Sequence, residues 1–169
     1  MFKQIATKVA AKVTTDCFFA HGVYDAVKKE LIAKNSDVND KRKYPLIWLV
    51  TPIAVSQKNF SGAGELNDLQ IFILCDTNLN YSEDDRVQGS FVGVLRPIYE
   101  ELLRQIDASY LFGVSTPEAI SHDYKEWSYN ATTEGRTSLF GDYIDAIQIK
   151  NMRLIINEEV PDNFKMLTH

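Results

Sequence analysis

The stretch Tyr44–Ile53, which reads YPLIWLVTPI, carries no charge and is apolar on successive positions. A half-buried strand alternates apolar and polar side chains, whereas a strand that is buried on both faces reads as a continuous apolar run. The pattern therefore predicts a strand over Leu46–Thr51, both faces of which need to be covered.

Two further segments have strand patterns. Leu69–Asp76 is mostly apolar on both parities, like the first strand. Near the end of the chain, DYIDAIQI and MRLIINEEV are separated by Lys150-Asn151, and their apolar positions fall on opposite parities. Because side chains alternate along a strand, this change of phase predicts a bulge or a turn at Lys150-Asn151.

Helical spacing is clearest between Val87 and Ile106. Pro97 lies inside this run, so the helix either kinks there or a second helical segment begins there. Ser82 and Asp85 precede the run with the spacing of a capping box. The apolar stripe has helical periodicity and comprises Val87, Phe91, Val94, Leu95, Ile98, Leu102 and Ile106.

The first 35 residues predict two more helices. Phe2, Ile5, Val9 and Val13 form one stripe, which indicates a short docking helix near the N-terminus. A second helix is expected over Val23–Asn35, with Val23, Tyr24, Val27 and Leu31 as its apolar side chains.

The order of these elements predicts an α+β fold with one mixed or antiparallel sheet flanked by helices and long inter-strand loops. We expect a single domain over residues 1–169, a docking helix or arm within residues 1–20 and a loose tail over residues 158–169. The loops are expected at Ser56–Asp68, as a long hairpin or flexible loop, and at Ser109–Asn130.

Charge and composition narrow the class of protein. The net charge is −5, divided between +4 over residues 1–50 and −9 over the rest. A protein of this size that binds nucleic acid in general is usually basic. This chain is acidic, so free DNA is not expected as its main partner. No apolar run reaches the length that a membrane span requires, so no membrane partner is expected. Cys17 and Cys75 are not in a CxxC pattern and are predicted to be buried, reduced thiols.

The sequence contains no recognisable catalytic, cofactor or metal motif, and we expect no enzyme activity, cofactor or metal. Cys17 and His21 have the spacing of a nucleophile and base on a helix, but CFFAHG equally fits a strand and turn. Asp76, Asn78 and Asn80 alternate as calcium ligands do, yet Tyr81 and Val87 stand where an EF-hand loop needs Gly and Glu.

The predicted sheet is apolar on both faces, and about three helices are too few to bury both of them. A neighbouring subunit could bury the remaining apolar face. His122–Arg136 mixes aromatic and charged side chains, which suits a protein interface or an active site. We favour the interface. The candidate interface residues are Trp48, Phe60, Glu65, Tyr124, Trp127, Tyr129 and Arg136.

The order of an N-terminal helix, YPLIWLVTP, DLQIFILCDTN, RVQGSFVGVLRPIYEELLRQI and YIDAIQIKNMRLII resembles the tail-terminator (tail-completion) proteins of tailed bacteriophages. The resemblance covers Val23–Ile156 and concerns element order, since the family has no invariant catalytic motif. The aromatic segment Ser109–Asn130 departs from the family's pattern.

This resemblance implies a structural virion protein at the head–tail junction. Its subunits form a ring, commonly a hexamer, that caps the tail tube and contacts tail-tube and neck or connector proteins. Genomic DNA would pass through the lumen without sequence-specific binding. A lumen lined by acids such as Glu83, Asp84 and Asp85 would repel the phosphates and keep the DNA sliding. The protein would be located in the virion, and in the host cytoplasm during assembly. The alternative is a small α+β enzyme or ligand-binding domain with a pocket near His122, formed with Asp123, Glu126 and Trp127.

Overall fold

The structure is a computed structural model that describes residues 2–13, 16–35, 43–57, 64–78, 80–109, 112–114, 121–126, 130–132, 135–137 and 142–156. Apolar side chains on both faces of one mixed sheet pack against helices, which cover the sheet on its two sides. The predicted α+β fold is therefore confirmed. The predicted tail over residues 158–169 lies outside the described residues.

The helices fall in three parts of the chain. They are α1 (Phe2–Ala10), α2 (Tyr24–Asn35), and a continuous run made of α3 (Glu83–Asp85), a π-helical segment (Arg86–Leu95) and α4 (Arg96–Asp107). The last part begins with Pro97 in its first turn, where a missing N–H is tolerated. The prediction that a second helical segment begins at Pro97 is therefore confirmed. None of the helices within the described ranges has both the length and the apolar character that crossing a membrane requires.

The strands form a main sheet and a separate hairpin. They are β1 (Phe18–Gly22), β2 (Leu46–Val50), β3 (Ala54–Gln57), β4 (Gly64–Asp76), β5 (Phe112–Val114), β6 (Ser121–Glu126), β7 (Asn130–Thr132), β8 (Gly135–Thr137) and β9 (Ile144–Ile156). The main sheet has the order β1-β2-β4-β9-β5, while β3 pairs with β4 and β6 pairs with β9. β7 pairs only with β8 among the described strands. Strands β1 and β6 therefore lie towards opposite ends of the sheet.

The chain covers both faces of β2 itself. Ile47 and Leu49 belong to a core beneath α1, the π-helical segment and α4. Leu46 and Trp48 belong to a smaller core on the other face, where α2 contributes Val27 and Leu31. The expectation that the sheet lacks cover from its own chain is therefore wrong for this strand, because α2 crosses over between two parallel strands, β1 and β2.

The smaller core explains the position of Trp48. Its ring lies 5.2 Å from that of Phe72 and 5.7 Å from that of Tyr24, and its indole nitrogen donates to the Gly22 carbonyl at 3.0 Å. A buried indole N–H needs such an acceptor. The hydrogen bond also joins β2 to the end of β1.

The predicted irregularity at Lys150-Asn151 is a bulge within the single strand β9. The register with β4 shifts between the pairs Ile71–Ile149 and Leu69–Met152, and Asn151 has φ of 57°. The extra residue returns Met152 and Leu154 to the same core as Ile147 and Ile149. A second shift around Asp68 on β4, with φ of 54°, restores the pairing beyond it.

The segments Ser56–Asp68 and Ser109–Asn130 both contain strands, and of the two alternatives for Ser56–Asp68 the hairpin is confirmed at its described ends. β3 and β4 pair from Ala54–Asn67 to Gln57–Gly64, so a hairpin occupies the ends of Ser56–Asp68, and β4 begins five residues before the predicted strand. The loop expected at Ser109–Asn130 was wrong in part, because β5 and β6 both pair with β9. β5 has only three residues and β6 is almost entirely polar, so neither shows the alternation that identifies strands.

Candidate functional site: a groove beside the π-helical segment

A groove of about 400 Å³ lies between the π-helical segment and β6. Apolar side chains form much of its lining, and several of them remain open to solvent: Val87 is 40% exposed, Val92 45% and Tyr124 52%. The remaining lining residues are Glu83, Arg86, Phe91 and Arg96. Such a combination of apolar walls and a few charged groups is typical of binding sites.

The helix geometry explains why these valines face outward. The backbone N–H of Arg96 donates to the Phe91 carbonyl, which is the i→i+5 bond of a π-helix. Residues four and five apart then share a side, so the buried positions are Arg86, Ser90, Phe91 and Leu95. Val87 and Val92 are five apart and line the groove together. The predicted α-helical stripe is therefore wrong at Val87, which is exposed.

Aromatic side chains connect the helical wall of the groove to the strand wall. The rings of Phe91 and Tyr124 meet edge to face with centroids 4.9 Å apart. The Tyr124 ring also contacts His122 at 5.6 Å, and the Tyr99 hydroxyl lies 3.2 Å from His122 Nδ1. Edge-to-face pairs of this kind stabilise packing beyond simple burial. They hold β6 against the helices.

A buried ion pair lies beneath the groove. Asp145 on β9 is fully buried, and its Oδ1 lies 3.5 Å from Nη1 of Arg86, which is 4% exposed. Neither carboxylate oxygen of Asp145 accepts a hydrogen bond from the described residues. Because a buried charge is costly without a partner, this pair ties the start of the π-helical segment to β9.

The cysteines are not suited to nucleophilic chemistry. Burial raises the pKa of the Cys75 thiol to about 12, and the nearby Asp145 charge adds to the effect. Burial likewise raises the pKa of Cys17 to about 12. Cys17 precedes β1 and His21 lies on that strand, so the two are not on a helix. Reactive cysteines need a stabilised thiolate, which neither position provides.

The side chains of the alternative pocket do not all converge. His122 pairs with Ile149 and Tyr124 with Ile147, which places both on the side of the helical groove. Asp123 pairs with Gln148 on the opposite face, where it accepts a hydrogen bond from Lys150 Nζ at 2.5 Å. The prediction of a pocket formed jointly by His122 and Asp123 is therefore wrong, because the two side chains lie on opposite faces of the sheet. The side chains of Glu126 and Trp127 lie outside the description.

The structure locates three of the seven candidate interface side chains. Trp48 is fully buried, so direct contact with a second copy is not expected from it. Glu65 is also buried, on β4, whereas Tyr124 is exposed and lines the groove. Phe60, Trp127 and Tyr129 lie outside the described residues, as does the side chain of Arg136.

The turn from Asp76 to Asp85 serves to start a helix. Asn78 Oδ1 accepts from the Asn80 N–H at 3.0 Å, and Ser82 and Asp85 form the predicted capping box. The hydrogen bonds from Ser82 hold the pKa of Asp85 below its usual value. No group of three His, Cys, Asp or Glu side chains within the described ranges is arranged to hold a metal ion.

Arg86, Asp145 and Val92 are the residues of this site that the pattern did not reveal. Arg86 and Ser90 are polar, so α-helical periodicity assigns them to the solvent side. The segment Arg86–Leu95 contains two glycines, Gly89 and Gly93. Glycine lowers α-helical propensity, so these residues are a signal in the sequence that the segment is not a regular α-helix.

The groove and the aromatic contacts lie together on one face of the sheet of a small α+β domain. A scan against models of known protein families finds no match for the chain. A search among curated proteins also finds no match.

Proposed function

We propose that this chain is a structural subunit that assembles with copies of itself, as the tail-terminator ring at a phage head–tail junction does. The observation that carries the proposal is the exposed apolar surface of the groove, where Val87, Val92 and Tyr124 converge. Exposed apolar side chains clustered around a concave surface are typical of protein contacts.

The order of elements supports the same proposal. An N-terminal helix, β2, β4, the long helical run and β9 follow one another as in the resemblance drawn from the sequence. In this proposal the ring contacts tail-tube and neck proteins in the virion and lets DNA pass, and the subunits assemble in the host cytoplasm.

Mass photometry and light scattering over a concentration series test self-assembly. We expect a discrete closed oligomer, of which a hexamer of the 19.2 kDa chain is the leading form, and a ring with a central opening in negative-stain images. A protein that stays monomeric throughout the series would contradict the proposal.

A second candidate is binding of a small ligand in the groove near His122. Its volume of about 400 Å³ is within the range of small-molecule sites, which favours this candidate. A screen of ligands by thermal shift would identify it. Stabilisation of the wild-type protein that disappears in Tyr124→Ala would support ligand binding over assembly.

A further inference from the structure

Six of the exposed large hydrophobic side chains of the described residues fall into two groups. The first is the groove patch, which we define as Val87, Val92 and Tyr124. The second is the α2 patch, formed by Val23, Tyr24 and Ile32, each at least 37% exposed.

Two members of the α2 patch, Tyr24 and Ile32, lie on one side of the helix with Lys28 between them, and the third, Val23, immediately precedes the helix. Tyr24, Lys28 and Ile32 are spaced by four residues, so their side chains are neighbours. Val27 and Leu31 lie alongside them and are buried against the sheet. The exposed stripe therefore stands beside a fixed, buried stripe, which gives it a defined position.

The two patches lie at opposite ends of the molecule. The α2 patch is on the helix that covers β1 and β2, and the groove patch is between the π-helical segment and β6, beyond β9. They are also on opposite faces of the sheet, since α2 and the π-helical segment contribute to different cores. Two different surfaces at opposite ends of one subunit suit a head-to-tail contact, which repeats into a ring or a filament.

The charges beside the patches are complementary. Lys28 and Lys29 adjoin the α2 patch, and the whole of α2 has a net charge of +1 after Asp25 and Glu30 are included. Glu83, Asp84 and Asp85 are exposed at the start of the helical run that forms the groove. The groove's two arginines already have acidic partners: Arg96 pairs with Glu100 at 2.8 Å and Arg86 with Asp145. Opposite charge on two surfaces orients their encounter.

From these observations we infer that the α2 patch of one copy docks into the groove patch of the next copy. The inference rests on the proposed self-assembly and names the two surfaces that meet. Ile32 and Tyr24 contact Val87, Val92 and Tyr124, while Lys28 and Lys29 face the acids at Glu83 and Asp84. This arrangement places those acids at the subunit contact.

Two single variants test the contact by complementation. Val92→Asp blocks the groove patch, and Ile32→Asp blocks the α2 patch; both side chains are more than 40% exposed, so the folds should tolerate the change. Each variant alone should lose the oligomer, with at least about a tenfold weaker association. Mixed together, they should form a dimer, because one intact groove and one intact α2 patch still meet and neither chain can extend further.

Val55→Asp is the matched control. Val55 is 60% exposed and lies on β3, outside both patches, so this variant should assemble like the wild type. Circular dichroism checks that each variant is folded, and Val87→Asp with Lys28→Glu forms a second complementing pair if either aspartate variant unfolds.

The outcomes separate the two proposals. A wild-type monomer contradicts self-assembly and the contact together. A wild-type oligomer that persists in Val92→Asp or Ile32→Asp overturns the contact but leaves self-assembly in place. Loss of assembly in Val92→Asp alone, with a normal Ile32→Asp, would indicate a groove-to-groove contact and would also overturn the inference.

Discussion

The two faces of the sheet are covered in different ways. On one face α2 buries Val27 and Leu31 over Trp48, and its large exposed side chains are polar apart from Tyr24 and Ile32. On the other face the π-helical segment buries an arginine and a serine, and it leaves two valines exposed. The comparison shows that the exposed apolar surface of the groove follows from helix geometry, since a π-helix turns different positions towards the core than an α-helix does.

The largest effect is expected from Trp48 on the conventionally packed face. Trp48→Ala removes a fully buried ring and its hydrogen bond to Gly22, so we expect a loss of about 3–5 kcal/mol in the free energy of unfolding, measured with urea. Trp48→Asp should give no folded protein. Ile32→Asp, on the solvent side of α2, should change stability by less than about 1 kcal/mol. A soluble, fully assembled Trp48→Asp protein would contradict this placement.

A variant of Arg86 tests how much the buried Arg86–Asp145 ion pair stabilises the other face of the sheet. Arg86→Ala leaves the Asp145 carboxylate buried without its ion-pair partner, and we expect a loss of about 3–5 kcal/mol in urea unfolding. Arg96→Ala is the control: this exposed arginine pairs with Glu100 in solvent, so its removal should leave the free energy of unfolding nearly unchanged. Equal losses for the two arginines would show that the buried pair does not hold the π-helical segment. Arg86→Met combined with Asp145→Leu should recover much of the lost stability.

Sequence patterns predicted the elements whose apolar phase is simple. The two-faced strand at Leu46, the helix start at Ser82 and the bulge at Lys150-Asn151 were all confirmed, because each depends on local periodicity or local hydrogen bonding. The pattern could not separate strand from helix in CFFAHG, so β1 and its parallel pairing stayed ambiguous. Long-range pairing has no local signal.

The candidate site was predicted only in part. Tyr124 was expected at an interface, and the structure places it in the groove. Arg86 and Asp145 could not be predicted, because a charge looks the same in sequence whether it is solvated or paired in a core. The exposure of Val87 depends on five-residue spacing, which α-helical periodicity does not consider.

A smaller effect is expected at the start of the groove wall. Ser82 accepts from the Asp85 N–H at 3.2 Å and donates to its carboxylate, so Ser82→Ala should lower the free energy of unfolding by about 1 kcal/mol. The depressed pKa of Asp85 means that its contribution is present above its ordinary pKa and is lost as the pH falls through the lower, folded value. The difference between wild type and Ser82→Ala should therefore shrink in acid. A difference that grows below pH 4 would contradict the capping box.

The smallest effect is expected from alanine variants of two glycines in the π-helical segment, and it tests whether the segment is a π-helix or an α-helix. Gly89 has open space where a Cβ would stand, so Gly89→Ala should raise the free energy of unfolding by about 0.5–1 kcal/mol, the gain expected from helix propensity. At Gly93 a Cβ would lie 3.0 Å from the Gln88 carbonyl oxygen, five residues back, and the crowding should reduce or reverse that gain. Urea unfolding of both variants gives the comparison. Equal gains would indicate that the segment relaxes to an α-helix, in which the crowding against the i−5 carbonyl is relieved. In that case Val87 and Val92 would no longer be aligned, and association through the groove patch should weaken in both alanine variants.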